Sequence, residues 1–304
     1  MAVLSPVMSY IVDKQVGFPI PSEKEKINKV LKRYRYILSQ NPKRADAPEL
    51  MFGIADLLVG RSEQGDYKEA KRIFDQILER HIPDSLRART LIGKAELMIG
   101  SPEAFDEAIS LCEKARKLLG NDMSDFFAAK TFAVEAELRL ARKNKGDWDK
   151  ALKLLNHVIR AKNAHWYFKG RAFLTKTEIK LYQTPKDTNN PLRFAEAALK
   201  ELKPRSDDYF TYKGKTLKAE VLIRRAKRGD FDRAEKLLES VISMPFDYQD
   251  LIFRAKLDMA DIVKQPKATK LVKEVLETEG LDPYLMDKAR IVEIALAERR
   301  KQNK

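Results

Sequence analysis

The sequence predicts an all-α stack of helical hairpins, and three observations carry that expectation. First, a small residue, an acid and an aliphatic recur as Ala55-Asp56-Leu57, Ala95-Glu96-Leu97, Ala136-Glu137-Leu138, Thr177-Glu178-Ile179, Ala219-Glu220-Val221 and Ala260-Asp261-Ile262, at spacings of 40 to 42 residues. Second, a Gly follows the first, third and fifth triplets, ten positions after the small residue. It opens Gly65-Asp66-Tyr67-Lys68-Glu69-Ala70, Gly146-Asp147-Trp148-Asp149-Lys150-Ala151 and Gly229-Asp230-Phe231-Asp232-Arg233-Ala234. Third, 304 residues with 44% apolar, 34% charged, only 12 Gly and 13 Pro describe a packed helical chain, neither collagenous nor disordered.

Taken in order, residues 1–21 lie outside the repeat and carry apolar side chains (Val7, Met8, Tyr10, Ile11, Val12) suited to covering the first hairpin. Ser22–Gln40 reads as an orphan helix that stops at Asn41-Pro42. Six hairpins follow, starting near residues 48, 86, 126, 167, 209 and 250, and a capping helix over 283–300 closes a single repeat domain spanning 22–304. In the first, third and fifth hairpins, Gly supplies the left-handed turn, Asp caps the next helix, the aromatic packs into the angle and Ala lets the backbones approach. The alternate hairpins turn through Ser101-Pro102-Glu103-Ala104-Phe105, the polar loop 184–191 and Gln265-Pro266-Lys267. The basic runs Arg142-Lys143-Asn144-Lys145 and Arg224-Arg225-Ala226-Lys227-Arg228 read as cations complementing helix C-termini.

The Gly-Asp-aromatic-x-x-Ala run resembles the tetratricopeptide repeat family, over roughly residues 22 to 298. The period here is about 41 residues, against about 34 in the usual unit. The resemblance implies a right-handed α-solenoid of about six to seven hairpins, in which the first helix of each faces a long concave groove. It also implies a non-catalytic interaction scaffold or adaptor, often part of a larger assembly.

Polar residues on the first helices are therefore the candidate groove. Seven residues before each acid from the second unit on stands a base: Arg89 before Glu96, Lys130 before Glu137, Arg171 before Glu178, Lys213 before Glu220 and Arg254 before Asp261, with Lys288 extending the row into the capping helix. Seven residues is two turns, so base and acid share a face about 10 Å apart. Two readings stand: structural pairing between hairpins, or a row of donors for an extended ligand.

The net charge of +14 is local. Residues 153–228 hold 19 bases and 7 acids, whereas 1–152 hold 26 and 23 and 229–304 hold 14 and 15. Trp166, Tyr167, Phe168, Tyr209, Phe210 and Tyr212 interleave there with Lys169, Arg171, Lys213 and Lys215. The expectation is that this stretch binds an acidic peptide or protein segment, with Trp166 and Tyr209 as anchors; a nucleic-acid, in particular RNA, partner is the alternative. The same rings also suit packing between repeats.

A single cysteine, Cys112, and three histidines leave no metal cage, cofactor loop or nucleophile–base pair, so no enzyme, metal or cofactor is expected. The Asp207-Asp208 pair reads as helix capping. No apolar run reaches the ~18 residues of a span and Met1–Gly17 lacks the features of a signal peptide, so the expected setting is soluble and cytoplasmic.

Overall fold

The computed structural model describes residues 21–61, 63–203, 209–245, 248–278 and 283–302. The expected N-terminal extension, Pro21 apart, and the Asp207-Asp208 pair lie outside them. Among the described residues the chain is helical without strands. An orphan α1 (Pro21–Gln40) precedes six hairpins. These are α2 (Ala47–Arg61) with α3 (Asp66–Leu78), α4 (Asp84–Glu96) with α5 (Phe105–Leu119), and α6 (Phe126–Arg142) with α7 (Asp147–Arg160). Then come α8 (Trp166–Gln183) with α9 (Asn189–Glu201), α10 (Tyr209–Arg225) with α11 (Asp230–Ile242), and α12 (Gln249–Ala260) with α13 (Lys267–Leu276). Helix α14 (Pro283–Gln302) caps the array, giving an all-α solenoid.

Burial separates the two helices of a hairpin. The second helices bury one stripe: Ala70, Ile73, Phe74 and Ile77 on α3, and Ala151, Leu154, Leu155 and Val158 on α7, both at i, i+3, i+4, i+7. First helices are covered around most of their circumference, as in α6, where Thr131 to Ala136 are buried consecutively. The cause is their neighbours. First helices of successive hairpins touch one another, whereas no two second helices of adjacent hairpins make a comparable contact. Elements that lie closer together are on the inside of the curve, so the first helices line the concave face.

One local device recurs in the first, third and fifth hairpins and refines the expected turn. Gly65, Gly146 and Gly229 hold the left-handed conformation, with φ of 88°, 81° and 78°. Each is itself the residue before the helix, so the following Asp is not the cap. The Asp side chain turns back instead. Asp147 accepts from Arg142 Nε at 2.9 Å and Nη2 at 2.7 Å, and from the backbone N–H of Asn144 at 2.9 Å. Asp66 repeats this with Arg61 (2.9 and 2.6 Å) and Glu63 N–H (2.9 Å). Asp230 does so with Arg225 (2.7 and 2.6 Å) and Lys227 N–H (3.0 Å). Asp66, Asp147 and Asp230 are 3%, 2% and 1% exposed. Arg142 and Arg225, read from sequence as helix-end cations, are thus half of a clasp with the pattern Arg-x-x-x-Gly-Asp, and the planar guanidinium fork explains why Arg stands there each time.

Burial by itself would raise the Asp147 carboxyl, and the Arg142 bonds reverse that to hold it below its usual range. Around it sits a buried network: Arg139 donates to Glu135 at 2.8 Å and to Glu113 at 2.8 Å. Asp147→Ala removes the fork partner of Arg142, which keeps Asp106, and one of three carboxylates around Arg139; it is expected to cost about 2 kcal/mol, read as a lower urea midpoint by circular dichroism. Arg142→Lys, which keeps the charge but not the fork, is expected to lose a smaller part.

Candidate functional site: ladder and cavity of the concave face

The bases and acids of the first helices meet across hairpins. Lys130 Nζ on α6 stands 2.7 Å from Glu96 on α4. Arg171 on α8 is 2.6 Å from Glu137 on α6 and also 3.0 Å from Glu96, two hairpins away. Lys213 on α10 is 3.0 Å from Glu178 on α8. Arg254 on α12 is 2.7 Å from Glu220 on α10 and 3.7 Å from Glu178. Each base thus pairs with the acid of the preceding hairpin rather than with the acid two turns along its own helix. Where the row carries Arg, at 171 and 254, the longer forked side chain reaches two carboxylates; Lys at 130 and 213 reaches one.

The two ends of the row differ. At the C-terminal end Lys288 bonds Asp258, one turn before Asp261. Asp261 falls just past the end of α12, and its backbone carbonyl accepts from Arg299 at 3.1 Å. At the N-terminal end the rung is open. Arg89 lies with its guanidinium 4.5 Å from the Phe52 ring and 4.7 Å from the Phe127 ring, its Nε and Nη2 buried without hydrogen bonds. Asp56, the acid it would match, makes no ion pair or hydrogen bond among the described residues.

The open rung has a cause in the aromatic residues. Rings at the starts of the first helices form an edge-to-face chain: Phe126 meets Phe168 at 4.8 Å, Tyr167 meets Phe210 at 5.5 Å and Tyr209 meets Tyr248 at 5.3 Å. Helix α4 begins Asp84-Ser85-Leu86 and has no ring to contribute. Phe52 of α2 and Phe127 of α6 meet each other edge-to-face at 6.3 Å, and Arg89 lies against both rings, a cation–π position that withdraws it from Asp56.

Above the ladder lies a cavity of about 660 Å³. Its floor is made by Asp56, Glu96, Glu137 and Glu178 with Lys130, Arg171 and Lys213. The rings of Phe126, Phe127, Tyr167, Phe168, Tyr209 and Phe210 form the edge at the N-terminal ends of the first helices, and Tyr67, Lys143 and Tyr182 stand at the opposite edge. Electrostatically the floor is uneven. Burial would raise Glu96, but the charges of Lys130 and Arg171 bring it down to about 2. Asp56 has no such partner in contact, and burial pushes it up to about 6.

The remaining sequence candidates are placed as follows. Trp166 is half-buried against the core, and Tyr209 Oη donates to Asp250 at 2.9 Å. Lys169 Nζ donates to the Lys162 carbonyl at 3.0 Å, and Lys215 Nζ lies 4.5 Å from the Tyr212 ring. Glu220 also binds Arg224 at 2.6 Å. Of the partner-binding set, Arg171, Lys213, Arg254 and Lys130 come together in the ladder and line the concave face, whereas Lys169 and Lys215 stand apart from it. Sequence reading did not single out Asp258 or the contact of Arg89 with Phe52 and Phe127, and it took the clasp arginines Arg142 and Arg225 only as helix-end cations; the Arg five places before each Gly-Asp aspartate was the visible signal for the clasp.

Arg171 is 4% exposed and joins three hairpins, so Arg171→Met leaves Glu137 and Glu96 undercompensated and is expected to lower stability by about 3 kcal/mol, measured by thermal melting. For Glu96 the folded carboxyl lies below its ordinary value, so its contribution is present above pH 4.5 and is lost as pH falls towards about 2. An acid melting series is expected to show that loss, reduced in Glu96→Gln.

Comparison with known proteins agrees with this architecture. Residues 60–122 match a tetratricopeptide repeat family. The crystal structure of the yeast Tom70 resembles the chain over 91% of its length, with a TM-score of 0.50 and 18% identity, and the chain spans 60% of that protein chain. No curated protein matches the sequence. The repeated triplet, the hairpin array and the structural likeness agree on the fold, an all-α array of tetratricopeptide-like hairpins with a period of about 41 residues.

Proposed function

We propose that the chain is a non-catalytic protein–protein interaction scaffold, working in the cytoplasm as a subunit of a larger assembly, that holds an acidic protein segment against the hairpins at about residues 160–228. The observation that supports this is where the unpaired cations stand. The ladder bases of this region are engaged internally, but Lys153 and Arg160 on α7, Arg193 and Lys200 on α9, and Lys162 and Lys186 in the turns are exposed and have no ion pair among the described residues. Second helices form the outer face, so the surplus is directed outward, with Lys169 and Lys215 at its margin. Lys176 is held below its usual range by burial and by the charges of Lys180 and Arg160, which marks a cluster of cations without a carboxylate partner.

RNA would meet the same cations, but a single-strand platform needs open rings on which bases stack. Tyr167 is 3% and Phe168 1% exposed, Tyr212 is likewise buried, and the exposed ring of Tyr182 is stacked on Trp148. That favours an acidic protein segment.

The test is a titration of two labelled probes, a Glu/Asp-rich peptide and a single-stranded RNA oligonucleotide, against the chain and against Arg160→Glu/Arg193→Glu/Lys200→Glu. The peptide is expected to bind and to weaken about tenfold or more in the variant, whose melting temperature is unchanged. RNA binding with a steep fall against log salt would favour the nucleic-acid reading, and binding of neither probe would remove the proposal.

A further inference from the structure

The concave cavity has a chemistry opposite to that of the outer face. Its floor cations Lys130, Arg171 and Lys213 are each within 3.0 Å of a carboxylate. An acidic ligand entering the cavity would have to break those pairs. The floor's one carboxylate with no partner in contact is Asp56, which faces the cavity rather than the protein interior. The acids Asp56, Glu49 and Asp125 all act on the charge of Arg89, and the cations acting on Asp56 are Lys130, already bonded to Glu96, and Arg89. The cavity continues from Asp56 on α2 to Lys213 on α10, across the first helices of five hairpins, a shape that suits an extended segment of chain.

We infer that this cavity receives a peptide segment of a partner that sets a Lys or Arg side chain on the Asp56 carboxylate and an adjacent apolar or aromatic side chain on the half-buried rings of Phe126 and Phe127. The incoming cation takes the place beside Asp56 that Arg89 leaves empty by lying against the rings of Phe52 and Phe127. It completes the first rung of the ladder from outside, in the same carboxylate–cation chemistry that the other rungs make from within. The apolar neighbour gains burial against ring edges already held in place by the aromatic chain, so little ordering is asked of the protein. Opposite-sign surfaces on the two sides of the solenoid would let it join a basic segment in the groove to an acidic one on its back. The groove inference does not rest on the acidic-partner proposal, and each can fail alone.

The experiment is selection of a random dodecapeptide library on the intact chain near neutral pH, followed by affinity measurement of resynthesised peptides. Enriched peptides are expected to carry a Lys or Arg beside an apolar or aromatic residue. Replacing that Lys with norleucine, or Arg with citrulline, is expected to weaken binding about tenfold or more in the wild type and to have little effect in Asp56→Asn. That variant removes a desolvated charge and is expected to keep its fold, checked by its melting curve, and the peptide-side replacement reads the same contact should it not. Enrichment of acidic peptides, equal affinity of the neutral replacements for the wild type, or absence of any enriched peptide would each overturn the inference.

Discussion

A carboxylate near the end of one first helix and a cation near the start of the next must meet for a rung of this ladder to close. On any single helix the two positions are two turns apart, about 10 Å along the axis. The rings at the starts of successive first helices meet at 4.8 to 5.5 Å, so those helices begin level and the long cationic side chains reach along the groove to span the difference. A rung of fixed reach repeated at every step constrains how each first helix lies against the next. The concave face, the cavity above it and the row of rings along its edge all inherit that geometry. Desolvation would make isolated buried pairs a weak source of stability; their value here lies in specifying how one hairpin sits on the next.

Hairpin closure and hairpin stacking are served by different chemistry. Within the first, third and fifth hairpins the Arg-x-x-x-Gly-Asp clasp ties the end of one helix to the start of its partner through a fork and a backbone N–H. Between hairpins the ladder and the edge-to-face rings take over. The alternate hairpins have no clasp and turn through longer loops. A chain built this way has a structural repeat of two hairpins superposed on its sequence period of about 41 residues, with Arg at 171 and 254 and Lys at 130 and 213 following the same alternation in the ladder.

Much of this was legible in the residues. The triplet at 40 to 42 residues and the three Gly-Asp-aromatic runs located every hairpin, because helix periodicity and a left-handed glycine are local properties. The acids and bases of the ladder were legible as rows, and structural pairing between hairpins was one of the two readings their regularity allowed. Which acid meets which base was not, because pairing partners about 34 residues apart depend on how helices lie against one another, a tertiary fact. Asp258 replaces Asp261 at the last rung because α12 ends at Ala260, and helix ends are poorly marked by pattern alone. The open rung was hidden for a similar reason. Arg89 looks like any other base in the row until the missing ring at the start of α4 is set beside Phe52 and Phe127. The charge surplus of 153–228 can be counted along the chain, but its division between paired cations inside and bare cations outside needs three dimensions.

Arg171 touches Glu137 on the neighbouring hairpin and Glu96 on the one beyond. In an ideal linear array each unit senses only the adjacent ones, and ends can fray one unit at a time. A guanidinium that binds carboxylates from two successive hairpins ties three consecutive units into one block, and Arg254 does the same for the next overlapping set through Glu220 and Glu178. Loss of a single middle unit then releases contacts on both sides at once. The array should accordingly melt in a few large steps rather than by gradual unzipping, and its groove stays shaped as a whole or not at all.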